Sequence, residues 1–427
     1  MKHHVRLSVA QNKEETSKAR ILFFLIQFTG CCTISLMKVE PRTLKGFRDF
    51  LPKEARKRAY VISTLKKVFE SYGFEPLETP ALEYEDILMG KYGEEGDKLM
   101  YRFEDNGQRR VALRYDQTVP LSRVAAQYQN DLPSPFKRYQ IQNVWRAENT
   151  QRGRYREFLQ CDIDIVGVNS FIADSEIIYV AISCLTTLGF KNFRVLVNDR
   201  KVFEGLDSKA ILIIDKLKKI GEEGVKQELR NNGFDENILD QIKNTKPTEN
   251  LEKILASQKN YVVFEPTLAR GLDYYTGLIV EIEVEGFEAG SVAGGGRYDG
   301  LIGMFSGQDV PAVGFAFGFD RLLEAMEANN LFPPTLTTSK VLVINQNENQ
   351  ESVSKIVNFL RQNNINAEIY LDFNAPLDKQ FKYMEKKEIP YVVFPVNENE
   401  VEIRTKSSAG EIVKKTIPID SLPNEII

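Results

Sequence analysis

The sequence predicts an α+β fold: a large antiparallel sheet with flanking helices, a helical insertion, and a small α/β domain at the C-terminal end. Three observations carry this. Residues 111–166, and again 261–264, 278–285 and 312–318, read mainly as short strands, most of them close enough in the chain for antiparallel pairing. Residues 206–258 shift in composition to Lys, Glu, Asn and Ile and read as several short helices. From residue 338 the pattern becomes strand, helix, strand, helix, strand, which argues for a separate domain with a mostly parallel sheet.

The elements follow in order. Residues 1–40 read as an N-terminal extension, either disordered or a non-native start, because a normal polar entry, "MKVEPRTLKGFRDFLP", begins only at Met37. The apolar run "ILFFLIQF" within it is too short to span a bilayer and leaves a signal segment as the alternative. A main domain covers 41–337. Its first helix is predicted over 53–72, where Val61, Leu65, Val68 and Phe69 form one stripe, and Gly73 stops it. "FEPLETPALE" is extended, because Pro76 and Pro80 exclude a helix interior. A short helix, "TVPLSRVAAQYQ", interrupts the strands, and another runs over 174–189. The insertion occupies about 200–258. After the linker "PPTLTTS" the last domain covers 338–427, with strands "KVLVINQ", "NAEIYLDF" and "IPYVVFPV" and helices "ESVSKIVNFLRQNN" and "APLDKQFKYMEKKE".

Composition limits the chemistry. The net charge of −4 over 427 residues gives no global pull toward nucleic acid, so any such contact comes from local basic patches. The four cysteines have no zinc-site spacing and read as reduced thiols of a cytosolic protein. Both histidines, His3 and His4, lie at the N-terminal end, which excludes histidine as general base or metal ligand in the body of the chain.

The richest stretch is "VWRAENTQRGRYREFLQCDIDIVG", residues 144–167, with four arginines between Arg146 and Arg156. Alternate side chains of a strand share a face. Arg138, Gln140, Gln142, Arg146 and Glu148 therefore fall on one side of the first strand, and Gln160, Asp162 and Asp164 on one side of the second. The hairpin has one apolar and one polar face. Arg146 can grip a phosphate with its planar fork, and Gln160 and Asp164 can receive an amine or an imidazole N–H. A surface hairpin of paired charges fits the same pattern. "ALRYDQTVPL" places Asp116 and Thr118 two apart at a strand end, a pair suited to an ammonium group. In "LARGLDYYTG", Arg270 precedes Tyr274 and Tyr275, which read equally well as core aromatics. Gly294–Gly296 expose bare backbone to a ligand without the spacing of either common phosphate loop. In "VGFAFGFDRLLEAM", a strand feeds a helix with Arg321 in its first turn.

These stretches together resemble the class II aminoacyl-tRNA synthetases, and within them the histidyl-tRNA synthetase family. "FEPLETPALE", "VWRAENTQRGRYREFLQCDID" and "VGFAFGFDRL" are similar to class II motifs 1, 2 and 3. "RGLDYYTG" (270–277) and "GGRYDGL" (295–301) resemble the two signatures peculiar to the histidine enzymes, and 338–427 resembles the family's anticodon-binding domain. Asp116 and Asp164 stand where many bacterial members carry glutamate.

The resemblance implies an ATP-dependent ligase that activates L-histidine to the adenylate and transfers it to tRNA(His). It implies Arg270 and Arg146 as catalytic residues. The histidine site would comprise Asp116, Gln117, Thr118, Arg146, Gln160, Asp164, Arg270, Tyr274, Tyr275 and Tyr298. ATP would be held by Arg146, Glu148, Arg154, Phe158 and Arg321, with Phe158 stacked on adenine. Gln151, Arg152 and Arg156 would meet the acceptor end of tRNA. Mg²⁺ would accompany ATP, with no tightly bound metal site in the protein. A cytoplasmic homodimer that spans no membrane is expected. The competing expectation is a non-catalytic paralogue serving as a histidine-sensing regulatory subunit, which lacks the anticodon domain and tends to lose the arginine of "RGLDYYTG".

Overall fold

The computed structural model describes residues 39–426 apart from Tyr92, 151–152, 270–274, Ala289, 346–349 and 407–410. Its strands, in chain order, are β1 (Glu75–Pro76), β2 (Leu82–Tyr84), β3 (Arg102–Glu104), β4 (Arg110–Leu113), β5 (Phe136–Trp145) and β6 (Glu157–Val166). They continue with β7 (Phe193–Asp199), β8 (Val262–Phe264), β9 (Leu278–Val284), β10 (Ala293–Arg297) and β11 (Ala312–Gly318). The C-terminal set is β12 (Val341–Val343), β13 (Ala367–Ile369), β14 (Tyr391–Pro395), β15 (Glu400–Lys406) and β16 (Ile412–Pro418).

The main sheet has the order β1-β5-β6-β11-β10-β9-β7-β8. The six strands from β5 to β7 pair antiparallel, as the alternating patterns require. The two edges depart from that expectation: β1 joins β5 and β8 joins β7 in parallel. One sheet face is packed by the helices Pro52–Ser71 and Phe171–Thr187. The first starts with proline, which has no N–H to leave unpaired there, and buries Val61, Leu65, Val68 and Phe69, the stripe read from the sequence. The second is capped by the Ser170 hydroxyl, which accepts from the Ile172 N–H. Ile163, Val195, Val197, Val280, Ile282 and Phe315 of the sheet meet these helices in one core.

β7, "FRVLVND", is buried along both faces and was not foreseen. Its Val195 and Val197 join the main core, while Leu196 turns to the other side and packs with Ile279 against the insertion helices. A strand apolar on both faces lacks the alternation by which strands are read. The insertion itself divides. The helices Ser208–Ile214, Leu217–Asn231 and Ile238–Lys243 share their own core, whereas Glu249–Ser257 turns Leu251 and Ile254 into the main one.

Strands β2, β4 and β3 form a small separate sheet. In the C-terminal part, β13, β12 and β14 are parallel, as expected, with helices Gln350–Gln362 and Leu377–Lys387 packed on them. An antiparallel hairpin, β15 and β16, extends that sheet and was not anticipated, because its charged alternation resembles a solvated loop. Among the described residues no helix is long and apolar enough to cross a membrane.

Candidate active site

The register of the sheet builds the site. β6 lies between β5 and β11, so Arg138 faces Asp164 on one side and Gly314 faces it on the other. The polar face predicted for the hairpin points into the protein and lines cavities. Arg138 is fully buried and pairs with Asp164 at 2.6 Å, and Tyr298 donates its hydroxyl to Asp164 Oδ1. Burial pushes the Asp164 carboxyl upward, and the Arg138 charge and the Tyr298 hydrogen bond oppose that rise. Thus one carboxylate is fixed in place by a guanidinium and a phenol. Behind it, Gln140 donates to Thr79 Oγ1 at 2.9 Å and to Gln142 Oε1 at 2.6 Å. Arg114 donates to the Thr79 and Asn143 carbonyls at 2.7 and 2.8 Å, and burial holds its guanidinium down to about 10.

Two cavities adjoin on this face. The larger, about 280 Å³, is lined by Arg146, Glu148, Arg154, Phe158 and Arg321 together with the backbone of β10 and β11. All five residues assigned to ATP from the sequence meet there. Arg146 donates from Nε to the Tyr115 carbonyl at 3.1 Å and lies over the rings of Tyr115 and Phe158 at 4.4 and 5.2 Å. Arg321 donates to the Ser291 carbonyl at 3.1 Å, and burial, with Arg154 nearby, lowers its pKa. Arg154 pairs with Glu148 at 3.4 Å. Asp320, beside Arg321, is held by Arg48 and Arg58, each at 2.9 Å.

The smaller cavity, about 160 Å³, is lined by Asp116, Thr118, Gln160, Asp164, Tyr275 and Tyr298, with Asp162 and Tyr115 beside them. The two cavities share Arg146, Gln160, Gly294 and Ala316. Arg146 thus stands in the wall common to both.

Several placements differ from the reading of the sequence. Asp116 is not at a strand end: β4 stops at Leu113, and Asp116 Oδ1 accepts from the Val119 N–H at 3.1 Å at the start of the helix Thr118–Gln127. The carboxylate reaches the cavity as part of a helix entry, not by alternation. Gln117 lines neither cavity; its amide donates to the Gln142 and Gln160 carbonyls at 2.8 and 3.3 Å and ties the helix entry to the hairpin. Arg156 also stands outside both cavities, and its Nε donates to the Glu148 carbonyl at 3.1 Å. The glycine run lies within strand β10. A Cβ at Gly295 would lie 2.1 Å from the Gly314 carbonyl oxygen, so a neighbouring strand requires that glycine, while Gly294 faces both cavities. Arg297 of the same segment has a structural partner, Asp174, at 2.7 Å. Gln151, Arg152, Arg270 and Tyr274 lie outside the described residues.

Tyr115, Arg138 and Asp162 carried no assignment from the sequence. The face alternation of β5 and β6 pointed to Arg138 and Asp162, and only the choice among residues on that face was missing.

Known proteins share this architecture. The sequence pattern of the family described as histidyl-tRNA synthetase matches residues 46–231 and 221–322, and that of the anticodon binding domain matches 340–427. The chain is 39% identical over 422 residues to the histidine–tRNA ligase of Christiangramia forsetii, covering 84% of this chain and 92% of the relative. It is 45% identical over 323 residues to that of Aeropyrum pernix, covering 67% of this chain and 74% of the relative. The crystal structure of histidyl-tRNA synthetase from Nostoc sp. PCC 7120 superposes with a TM-score of 0.79 at 30% identity, over 91% of this chain and 99% of that one. By the family pattern over its catalytic sheet and by relatives along most of its length, the chain belongs to the histidyl-tRNA synthetase family.

Proposed function

We propose that the protein activates L-histidine with ATP to histidyl-adenylate and transfers the histidyl group to the 3′ end of tRNA(His), releasing pyrophosphate and AMP. The observation that carries this is the pair of adjoining cavities with Arg146 in their common wall. The smaller cavity takes histidine: Asp116, Thr118 and Gln160 face its α-amino group, and Asp164, Tyr275 and Tyr298 its imidazole. The larger takes ATP, with Phe158 against adenine and Arg146, Arg154 and Arg321 on the phosphates.

In the first step the amino-acid carboxylate attacks the α-phosphorus and pyrophosphate leaves. Two anions must approach, and negative charge grows on the phosphoryl oxygens. Arg146, fixed by the Tyr115 carbonyl, meets that charge with little rearrangement. Arg270 of the family signature is the second cation for that charge. No side-chain base is needed, because the nucleophile is already ionised, so a body without histidine is no obstacle. Mg²⁺ enters with the nucleotide. The acidic groups lining the larger cavity are Glu148, which one arginine approaches at 3.4 Å, and Asp320, which two arginines hold at 2.9 Å, so Glu148 would be the freer of the two to face the ion. Gln151, Arg152 and Arg156, in the segment that links β5 and β6 in the sequence, receive the tRNA acceptor end, and the C-terminal domain receives the anticodon. The chain works in the cytoplasm as a homodimer, for which the exposed Leu82, Tyr84 and Phe103 of the small sheet offer an apolar surface.

The match to an anticodon-binding domain supports the tRNA ligase over a regulatory paralogue. The test is ATP–pyrophosphate exchange across the twenty amino acids, with Arg270→Ala as control. Exchange with histidine alone, reduced on the order of 10²–10³-fold in the variant, is expected. Histidine binding without exchange would move the protein to the regulatory class.

A further inference from the structure

Asp162 lies between Gln160 and Asp164 on the inward face of β6 and lines the smaller cavity. It is 3% exposed, and its Oδ1 accepts no hydrogen bond among the described residues. The register explains the lack of a donor. Its neighbour on β5 is Gln140, whose amide N–H groups go to Thr79 and Gln142. Its neighbour on β11 is Ala316, which has no polar side chain. A buried carboxyl oxygen without a donor costs stability, and a native chain that keeps one needs a reason.

Gln160 Oε1, two residues along the same face, is also buried with no hydrogen-bond partner among the described residues. Both atoms are acceptors, and both belong to residues that line the cavity. The adjacent carboxylates have partners within the protein: Asp164 Oδ1 accepts from Tyr298 and its Oδ2 lies 2.6 Å from Arg138 as an ion pair, and Asp116 accepts from the Val119 N–H. An ammonium group carries three donors, which is what two acceptors without a hydrogen bond call for.

We infer that Asp162 is a substrate-binding residue that receives the α-ammonium of the amino acid together with Gln160, and that it makes that ammonium a condition of entry. This rests on the reading of the smaller cavity as an α-amino-acid site. The same geometry gives Asp162 a second property. Burial pushes its carboxyl well above the ordinary range, Arg138 on β5 opposes the rise, Asp164 on β6 and Asp116 at the helix entry add to it, and Arg146 lowers it. A cationic ligand reverses the balance and drives the proton off.

The experiment compares L-histidine with imidazolepropionate, which keeps the imidazole and carboxylate but lacks the ammonium, by titration calorimetry on the wild type and on Asp162→Asn. The variant is expected to bind histidine on the order of 10–100-fold more weakly and imidazolepropionate unchanged, with the KM for ATP unaltered. Equal losses for both ligands, or no loss for histidine, would overturn the inference while leaving the amino-acid site intact. A wild type that binds neither ligand would overturn the site itself. Should the variant fail to fold, the wild type alone decides. Titrations in two buffers of different ionisation heat should show more proton release with histidine than with imidazolepropionate, and equal release counts against Asp162.

Discussion

Arg138 and Asp164 face one another across β5 and β6 as a buried ion pair at 2.6 Å, with the guanidinium fully out of solvent. Removing one partner of such a pair leaves an uncompensated charge in the interior and typically costs about 3–5 kcal/mol. Arg138→Met should lose stability of that size in urea unfolding and also weaken histidine, because Asp164 then has every reason to hold a proton. A loss below about 1 kcal/mol would mean that Asp164 is neutral in the native protein.

Gly314 sets the depth of the same pocket. A Cβ there would lie 2.0 Å from Asp164 Oδ1 and 2.5 Å from the Ile163 carbonyl oxygen. Gly314→Ala must displace the carboxylate or the strand, and overpacking of this kind costs typically about 1–3 kcal/mol. The KM for histidine should rise at least about tenfold, the equivalent of 1.4 kcal/mol, with the KM for ATP little changed, since Gly314 lines only the smaller cavity. Gly73→Ala is the contrast: with φ of +75° and nothing within 4 Å, it should cost about 1 kcal/mol in stability and nothing in activity. Equal kinetic effects from the two would remove the steric account.

The raised Asp162 carboxyl fixes the sign of a pH effect. Below the ordinary carboxylate value both folded and unfolded chains hold the proton. As pH rises past it, the unfolded chain releases its proton while the folded chain keeps it, so the contribution of this group to stability falls until the folded-state value is passed. Ligand-free wild type should therefore lose stability relative to Asp162→Asn from about pH 4 upward, and saturating histidine should cancel the difference. Paired melting curves across pH, with and without histidine, check it; parallel curves would refute it.

Glu388 ends the helix Leu377–Lys387 in the left-handed region, at φ of +59°, and pairs with Lys53 at 2.7 Å on the surface. Glycine carries no penalty in that conformation, and an exposed pair contributes roughly 0–1 kcal/mol. Glu388→Gly should leave the unfolding free energy within about 1 kcal/mol of wild type. A much larger loss would show that the link between Lys53 and Glu388 stabilises far more than surface pairs do.

Much of this was legible in the chain. The alternation through "FKRYQIQNVW" and "EFLQCDIDIV" showed which face of each strand was polar, and the stripe at Val61, Leu65, Val68 and Phe69 placed the first helix within a residue or two. What alternation cannot give is the neighbour. That Arg138 belongs to Asp164, and that Asp162 faces an alanine and a committed glutamine, depends on which strands lie side by side, and β11 comes from nearly 150 residues further on. Asp116 was misplaced because a turn into a helix and a strand end look alike over four residues. β7 escaped because burial on both faces erases the period that reveals a strand.

The outer strands of the two larger sheets have a consequence for behaviour at high concentration. An open sheet edge is a row of unpaired N–H and C=O groups on which another chain can grow. Here the eight-stranded sheet ends in two residues at one side, one of them Pro76 with no N–H to offer, and in three at the other. The C-terminal sheet ends in the longer β16, where Lys414 and Lys415 are exposed and Pro418 closes the strand. A broad sheet of this kind invites fibrillar growth. The chain ends it with proline, charge and brevity, which leaves these two sheets little edge from which to aggregate.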